Sequence, residues 1–138
     1  MARRDELIEI AKSYLDAILS CDGSAVALAP NCWRIEQGRN SGRGADEIRT
    51  ALATMSYVKA IRDVRWYVDQ GGEDLIAWYS LDVEGVTSFI AERFHIVDSL
   101  IHEIEVVFAF VIGSELDSWP KDDTMVWPKN PDGSFQFS

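Results

Sequence analysis

From residue 58 onward the chain alternates apolar and polar side chains in four long runs separated by short breaks. "VKAIRDVRWYVDQ" runs to "GGED", "LIAWYSLDV" to "EG", "VTSFIAERFHIV" to "DS", and "LIHEIEVVFAFVI" follows. A period of two belongs to strands, whose successive side chains point to opposite faces of a sheet. Breaks this short leave room only for tight turns, so the spacing predicts four consecutive antiparallel strands. No other feature restricts the fold as strongly. A sheet of that extent needs cover, and the residues before it must supply it.

They read mainly as helices. In "RDELIEIAKSYLDAILS", residues 4 to 20, Leu7, Ile10, Ala11, Tyr14 and Ile18 form one apolar stripe, with Asp5, Glu6, Glu9, Lys12 and Asp16 on the wet side. "CDGS" breaks that helix, and Ser24 to Ala29 are expected to add about two turns before Pro30. A strand holding Glu36 follows, then "RNSGRG" as a loop, then a third helix over "GADEIRTALATM" with Asp46 and Glu47 in its first turn. The fold class is therefore α+β, three helices packed on one face of a mainly antiparallel sheet. The span 1–112 is read as one domain. The span 113–138, rich in proline and without clear period, is read as an extended tail anchored by Trp119 and Trp127, packing on the same domain or on a dimer partner.

Charge narrows the partners. Thirteen Lys and Arg against 23 Asp and Glu give a net charge of −10, a poor match to nucleic acid or an anionic membrane. No apolar run approaches the ~18 residues of a membrane span, and "MARRDELIEIAKSYL" lacks a signal-peptide core, so a cytoplasmic home is the expectation. Cys21 and Cys32 lack ligand spacing and are expected to be reduced, packed as small hydrophobes. No metal is expected.

On the first strand Arg34 and Glu36 share a face opposite Trp33 and Ile35. A helix must cover that strand, so the inner face is enclosed, and a partly desolvated carboxylate there suits a general base. The competing reading is a solvated ion pair worth little. Glu92 alternates with Ile90, Phe94 and Ile96, and a carboxyl in an apolar row is costly unless paired, protonated or functional. Tyr14 lies on the apolar stripe of its helix, where a core tyrosine is the plainer reading. His95 shares the polar face of its strand with Arg93, and His102 sits beside a turn; neither is expected to be catalytic. Arg34 is expected to bind substrate or orient Glu36, and Trp66, Trp78, Phe94, Val106 and Phe108 are the expected pocket wall, with Ile76, Trp78 and Ser80 on one inner face and Ile104, Val106 and Phe108 on another.

The order helix, helix, strand, helix, then a sheet ending "RFHIVDSLIHEIEVVF", with "YLDAILSCD" early, resembles the nuclear-transport-factor-two-like superfamily over about residues 4 to 110. That resemblance implies a cone, the helices lying in the concave face of a strongly curved sheet. It also implies function only loosely, because such folds host isomerases, cyclases, hydrolases and binding modules. The ketosteroid isomerases offer one template, with a carboxylate base on the first strand and an oxyanion hole of a tyrosine and a protonated acid. Glu36, Tyr14 and Glu92 stand at the matching places. "IEQG", residues 35 to 38, is similar to the first-strand turn of SnoaL-like isomerases. Limonene-type epoxide hydrolases fit less well: Asp82 could supply one carboxylate, but Ser80 and Val106 stand where an arginine and a second aspartate would be wanted.

The resemblance implies a cofactor-independent acid/base enzyme, isomerase or cyclase, acting on a hydrophobic polycyclic molecule such as a terpenoid, polyketide or steroid. Its rivals are a non-catalytic module of the same fold, binding a small molecule or a protein, and an epoxide hydrolase of the limonene type. The apolar outer face of the sheet, with Val107 and Ala109, leads to the expectation of a homodimer.

Overall fold

The computed structural model describes residues 3–112; the expected tail with Trp119 and Trp127 lies outside them. Helix α1 (Arg3–Ser20) is followed by β1 (Leu28–Glu36), β2 (Arg39–Arg43), α2 (Ala45–Leu52), β3 (Val58–Val68), β4 (Asp74–Val83), β5 (Val86–Val97) and β6 (Leu100–Ile112). The six strands form one curved sheet in the order β2-β1-β6-β5-β4-β3. Only β1 and β6 run parallel; the other pairs are antiparallel.

α1 forms where its apolar stripe predicts, and Leu7, Ala11, Tyr14, Leu15 and Ile18 are buried against the concave side of the sheet. Among the described residues two helices, not three, cover that side. Residues 24–27 form a turn, and Leu28 already belongs to β1. The physical reason is Pro30, which pushes the residue before it out of the helical region and into extended geometry.

The "RNSGRG" stretch is not a loop but mostly strand β2, folded back on β1 with Arg34 opposite Gly42 and Glu36 opposite Arg39. Gln37 and Gly38 between them have φ of 52° and 78°, the two positive values that a primed two-residue hairpin requires. Gln37 also pins the hairpin to β6. Its side-chain amide donates to the Phe108 carbonyl at 3.0 Å and accepts from the Phe108 amide at 3.0 Å. Gly42 is required by packing: a Cβ there would lie 2.7 Å from Cγ1 of Ile48, a fully buried residue of α2.

The concave face carries alternate residues of each strand: Leu75, Ala77, Tyr79 and Leu81 on β4, Ser88, Ile90, Glu92 and Phe94 on β5, Ile104 and Val106 on β6. Trp78 and Ile76 therefore face outward, and Trp78 is 52% exposed. That reverses the expected phase of β4. Both parities of "LIAWYSLDV" are apolar, so alternation alone could not choose a face. Both cysteines are free thiols. Cys32 is fully buried, and burial lifts its thiol to about 11, too high for thiolate chemistry near neutrality. Among the described residues no helix is long and apolar enough to cross a membrane.

Candidate active site

Strand register brings two carboxyl groups to one place. Glu36 on β1 pairs with Val106 on β6, and Val106 pairs with Glu92 on β5. The glutamates are thus two strands apart in one cross-sheet row, their backbones about 10 Å from each other. Sheet curvature turns both side chains toward one cavity. It holds about 120 Å³ and is lined by Tyr14, Arg34, Glu36, Tyr79 and Glu92 at its polar part. Ile18, Leu81, Ile90, Val106 and Phe108 make up much of its apolar wall, with Tyr57 half exposed beside them.

The two carboxyl groups differ in environment. Glu92 is 3% exposed and accepts a hydrogen bond from Tyr79 Oη at 2.8 Å. Burial lifts its pKa from the ordinary 4.5 to about 7; the Tyr79 hydrogen bond and the Arg34 charge pull it down, and the Glu36 charge adds to the rise. Glu36 has a side chain 38% exposed, and its Oε1 lies 3.1 Å from Arg34 Nε.

Arg34 is the organising cation. Buried on the concave face, its Nε donates to Ser41 Oγ at 3.0 Å, its Nη2 to the Ser41 carbonyl at 3.0 Å, and its Nη1 to Tyr14 Oη at 3.0 Å. The Ser41 hydroxyl in turn donates to the Arg34 carbonyl. Because Tyr14 Oη accepts from a guanidinium, its own proton is left to donate elsewhere, and the adjacent positive charge strengthens that donation. Burial, with the Glu92 charge second, still holds the Tyr14 phenol well above its ordinary 10, so it stays protonated. Burial and Glu92 act in the same direction on Tyr79.

Of the residues expected from sequence, Tyr14, Arg34, Glu36, Glu92, Val106 and Phe108 line this cavity. Three expected wall residues do not. Trp78 faces away on the convex side. Phe94 is fully buried beneath Tyr14, packed edge-on with ring centroids 5.4 Å apart. Trp66 shares the concave face but lies beyond Ala77, against the flank of α1 near Lys12 and Leu15. Asp82 is also elsewhere, held by Arg62 through two hydrogen bonds of 2.6 and 2.8 Å. His95 bonds Asp74 outside the cavity. Tyr79, Ser41 and Ser88 were missed. Tyr79 was hidden by the ambiguous phase of β4, and Ser41 by the reading of β2 as a loop. Among the described residues no group of three His, Cys, Asp or Glu side chains could hold a metal ion.

The chain belongs to the family described as Domain of unknown function (DUF8021), which it matches over residues 1–108. No curated protein matches it. Among solved structures it is similar to a steroid delta-isomerase from Pseudomonas aeruginosa, with a TM-score of 0.64 and 16% identity over 82% of this chain and 85% of that one. An LEH-like epoxide hydrolase from M. tuberculosis superimposes with a TM-score of 0.62 and 20% identity, over 78% and 86% of the two chains. SalBIII, an epoxide hydrolase/cyclase-like enzyme of pyran ring formation in the polyether salinomycin, gives 0.64 and 15%, over 73% and 88%. At such identities the likeness is one of fold. The cone is the nuclear-transport-factor-two-like fold.

Proposed function

We propose that this chain is a cofactor-independent acid/base enzyme of the isomerase or cyclase kind, acting on a hydrophobic ring-containing molecule of the terpenoid, polyketide or steroid type. One observation carries the reading: Glu92, a carboxyl 3% exposed on a cavity wall, faces the same void as the arginine-paired Glu36. A wall built only for packing has no use for a carboxyl there. Glu36 takes a proton from the carbon beside a substrate carbonyl, and the C–H electron pair moves into a new C=C bond as the carbonyl oxygen gains charge. Tyr14, made a stronger donor by Arg34, and protonated Glu92 donate hydrogen bonds to that oxygen. Glu36 then returns the proton to a different carbon. A void of about 120 Å³ is small beside the ~300–1,000 Å³ of drug-sized pockets. It would hold the reacting ring while the rest of a polycycle extends past Tyr57.

The test is exchange of the acidic α-protons of cyclic ketones in deuterated water, followed by NMR. Glu36→Gln keeps size and should slow exchange at least ~10²-fold, the usual scale of general-base catalysis, with folding unchanged. Exchange unaffected by that change would sink the assignment. No exchange with any ketone, together with a Glu92 carboxyl titrating near 4.5, would instead favour a non-catalytic binding module.

We further propose that two copies pair through the convex face. Trp78 and Val107 stand in one cross-sheet row with Ala91 between them, Phe89 lies in the next row, and all three large side chains are exposed. Light scattering should report a dimer at micromolar concentration and a monomer for Trp78→Lys; a monomeric wild type would refute the pairing.

A further inference from the structure

On the concave face of β5, two residues beyond Ile90 and four from Glu92, stands Ser88. It is 1% exposed, lines the cavity, and its Oγ has no hydrogen-bond partner among the described residues. Its neighbours on the wall are apolar: Ile90 next along the same face and Leu81 directly opposite on β4. A buried hydroxyl without a partner is unfavourable, whereas alanine would fit the same place without that penalty. Every other buried polar side chain on this wall has a partner: Tyr14 with Arg34, Arg34 with Ser41 and Glu36, Tyr79 with Glu92.

We infer that Ser88 is a specificity residue for a ligand with two polar ends, holding an oxygen of the ligand remote from the reacting carbonyl while the apolar body lies along Ile90. The inference rests on the reading of Tyr14 and Glu92 as the reacting end. Four strand residues place the Ser88 and Glu92 backbones roughly 13 Å apart, so the two ligand oxygens would be separated by on the order of 10 Å. Serine has three staggered χ1 wells and no branch at Cβ, so its hydroxyl turns to a ligand oxygen easily. Such a ligand is an oxygenated ring ketone or hydroxy-ketone and not a plain hydrocarbon with one oxygen.

Two rigid probes separate the ends. Para-phenylphenol presents one hydroxyl; para,para′-dihydroxybiphenyl presents a second at the far end of the same body. Calorimetric titration of the wild type should show the second hydroxyl tightening binding about three- to tenfold, the scale of one neutral hydrogen bond. Ser88→Ala should abolish that gain and leave para-phenylphenol binding and the melting temperature unchanged or slightly raised. Tyr14→Phe should weaken both probes alike. If the gain is absent in the wild type or survives in Ser88→Ala, while Tyr14→Phe still weakens binding, Ser88 has no such role and the reacting end stands. If Tyr14→Phe has no effect, or neither probe binds, the reading of the cavity fails and the Ser88 assignment fails with it.

Discussion

Glu92→Gln gives the most direct reading of the buried carboxyl, because its consequence for stability follows from proton binding alone. In the folded chain Glu92 holds its proton up to about pH 7, whereas in the unfolded chain it releases it near 4.5. Between those values the folded state binds the extra proton, so stability must fall as pH rises and level off above about 7. At about 1.4 kcal/mol per pH unit, the interval from 4.5 to about 7 amounts to roughly 3 kcal/mol. Glutamine has nearly the same shape, can still accept from Tyr79 through its amide oxygen, and does not titrate. Urea unfolding followed by tryptophan fluorescence, from about pH 5 to about pH 8, should therefore show wild-type stability falling relative to the variant by roughly 2–3 kcal/mol. Groups common to both proteins cancel in that difference. A difference constant within about 0.5 kcal/mol would mean that Glu92 is not buried as described, and the acid/base division between the two glutamates would lose its basis.

Two further changes test how the site is built. Gly42→Ala places a Cβ 2.7 Å from Ile48 Cγ1, so α2 must shift; chemical denaturation should show a loss of about 1–3 kcal/mol, and an unchanged midpoint would contradict the packing of β2 on α2. Ser41→Ala removes one acceptor of the Arg34 guanidinium but leaves the Ser41 carbonyl and Tyr14 in place, so it should cost about 1–2 kcal/mol and weaken phenol binding in the cavity. Full retention of both properties would show that β2 does not hold Arg34.

Strands β3 to β6 were legible because long runs of period two with short breaks have few alternatives, and α1 because its stripe repeats over about three turns. What the sequence hid were choices between equally apolar or equally polar options. β4 offered Leu75, Ala77, Tyr79 and Leu81 on one parity and Ile76 and Trp78 on the other, and neighbouring β5 decides between them: Ala77 pairs with Glu92, which makes Tyr79 and not Trp78 the inward aromatic. β2 has no apolar residue to reveal a period. It is a strand because the Gln37–Gly38 turn returns the chain onto β1 and because Ser41 finds Arg34. Pro30 carried a signal that was available in the sequence, since the residue before a proline resists helix, and a two-turn helix ending there had little to hold it.

Glu36 and Glu92 were read from the sequence as base and protonated acid, and burial together with the position of one cation supplies a physical reason for that proposed division. Arg34 precedes Glu36 by two on the same strand, so both occupy one face, and the guanidinium reaches Glu36 Oε1 at 3.1 Å. Its hydrogen bonds go to Ser41 and Tyr14, and Glu92 instead accepts from Tyr79. One arginine can balance one carboxylate. With Glu36 charged and paired, a second charge on Glu92 would leave the cavity one unit negative, at a position where burial already opposes ionisation. Protonating Glu92 brings the set of Arg34, Glu36 and Glu92 to neutrality and supplies an O–H in the cavity beside that of Tyr14. Glu36 and Glu92 thus differ first in burial and then in which of them Arg34 contacts, and the proposed proton acceptor and proton donors rest on that difference.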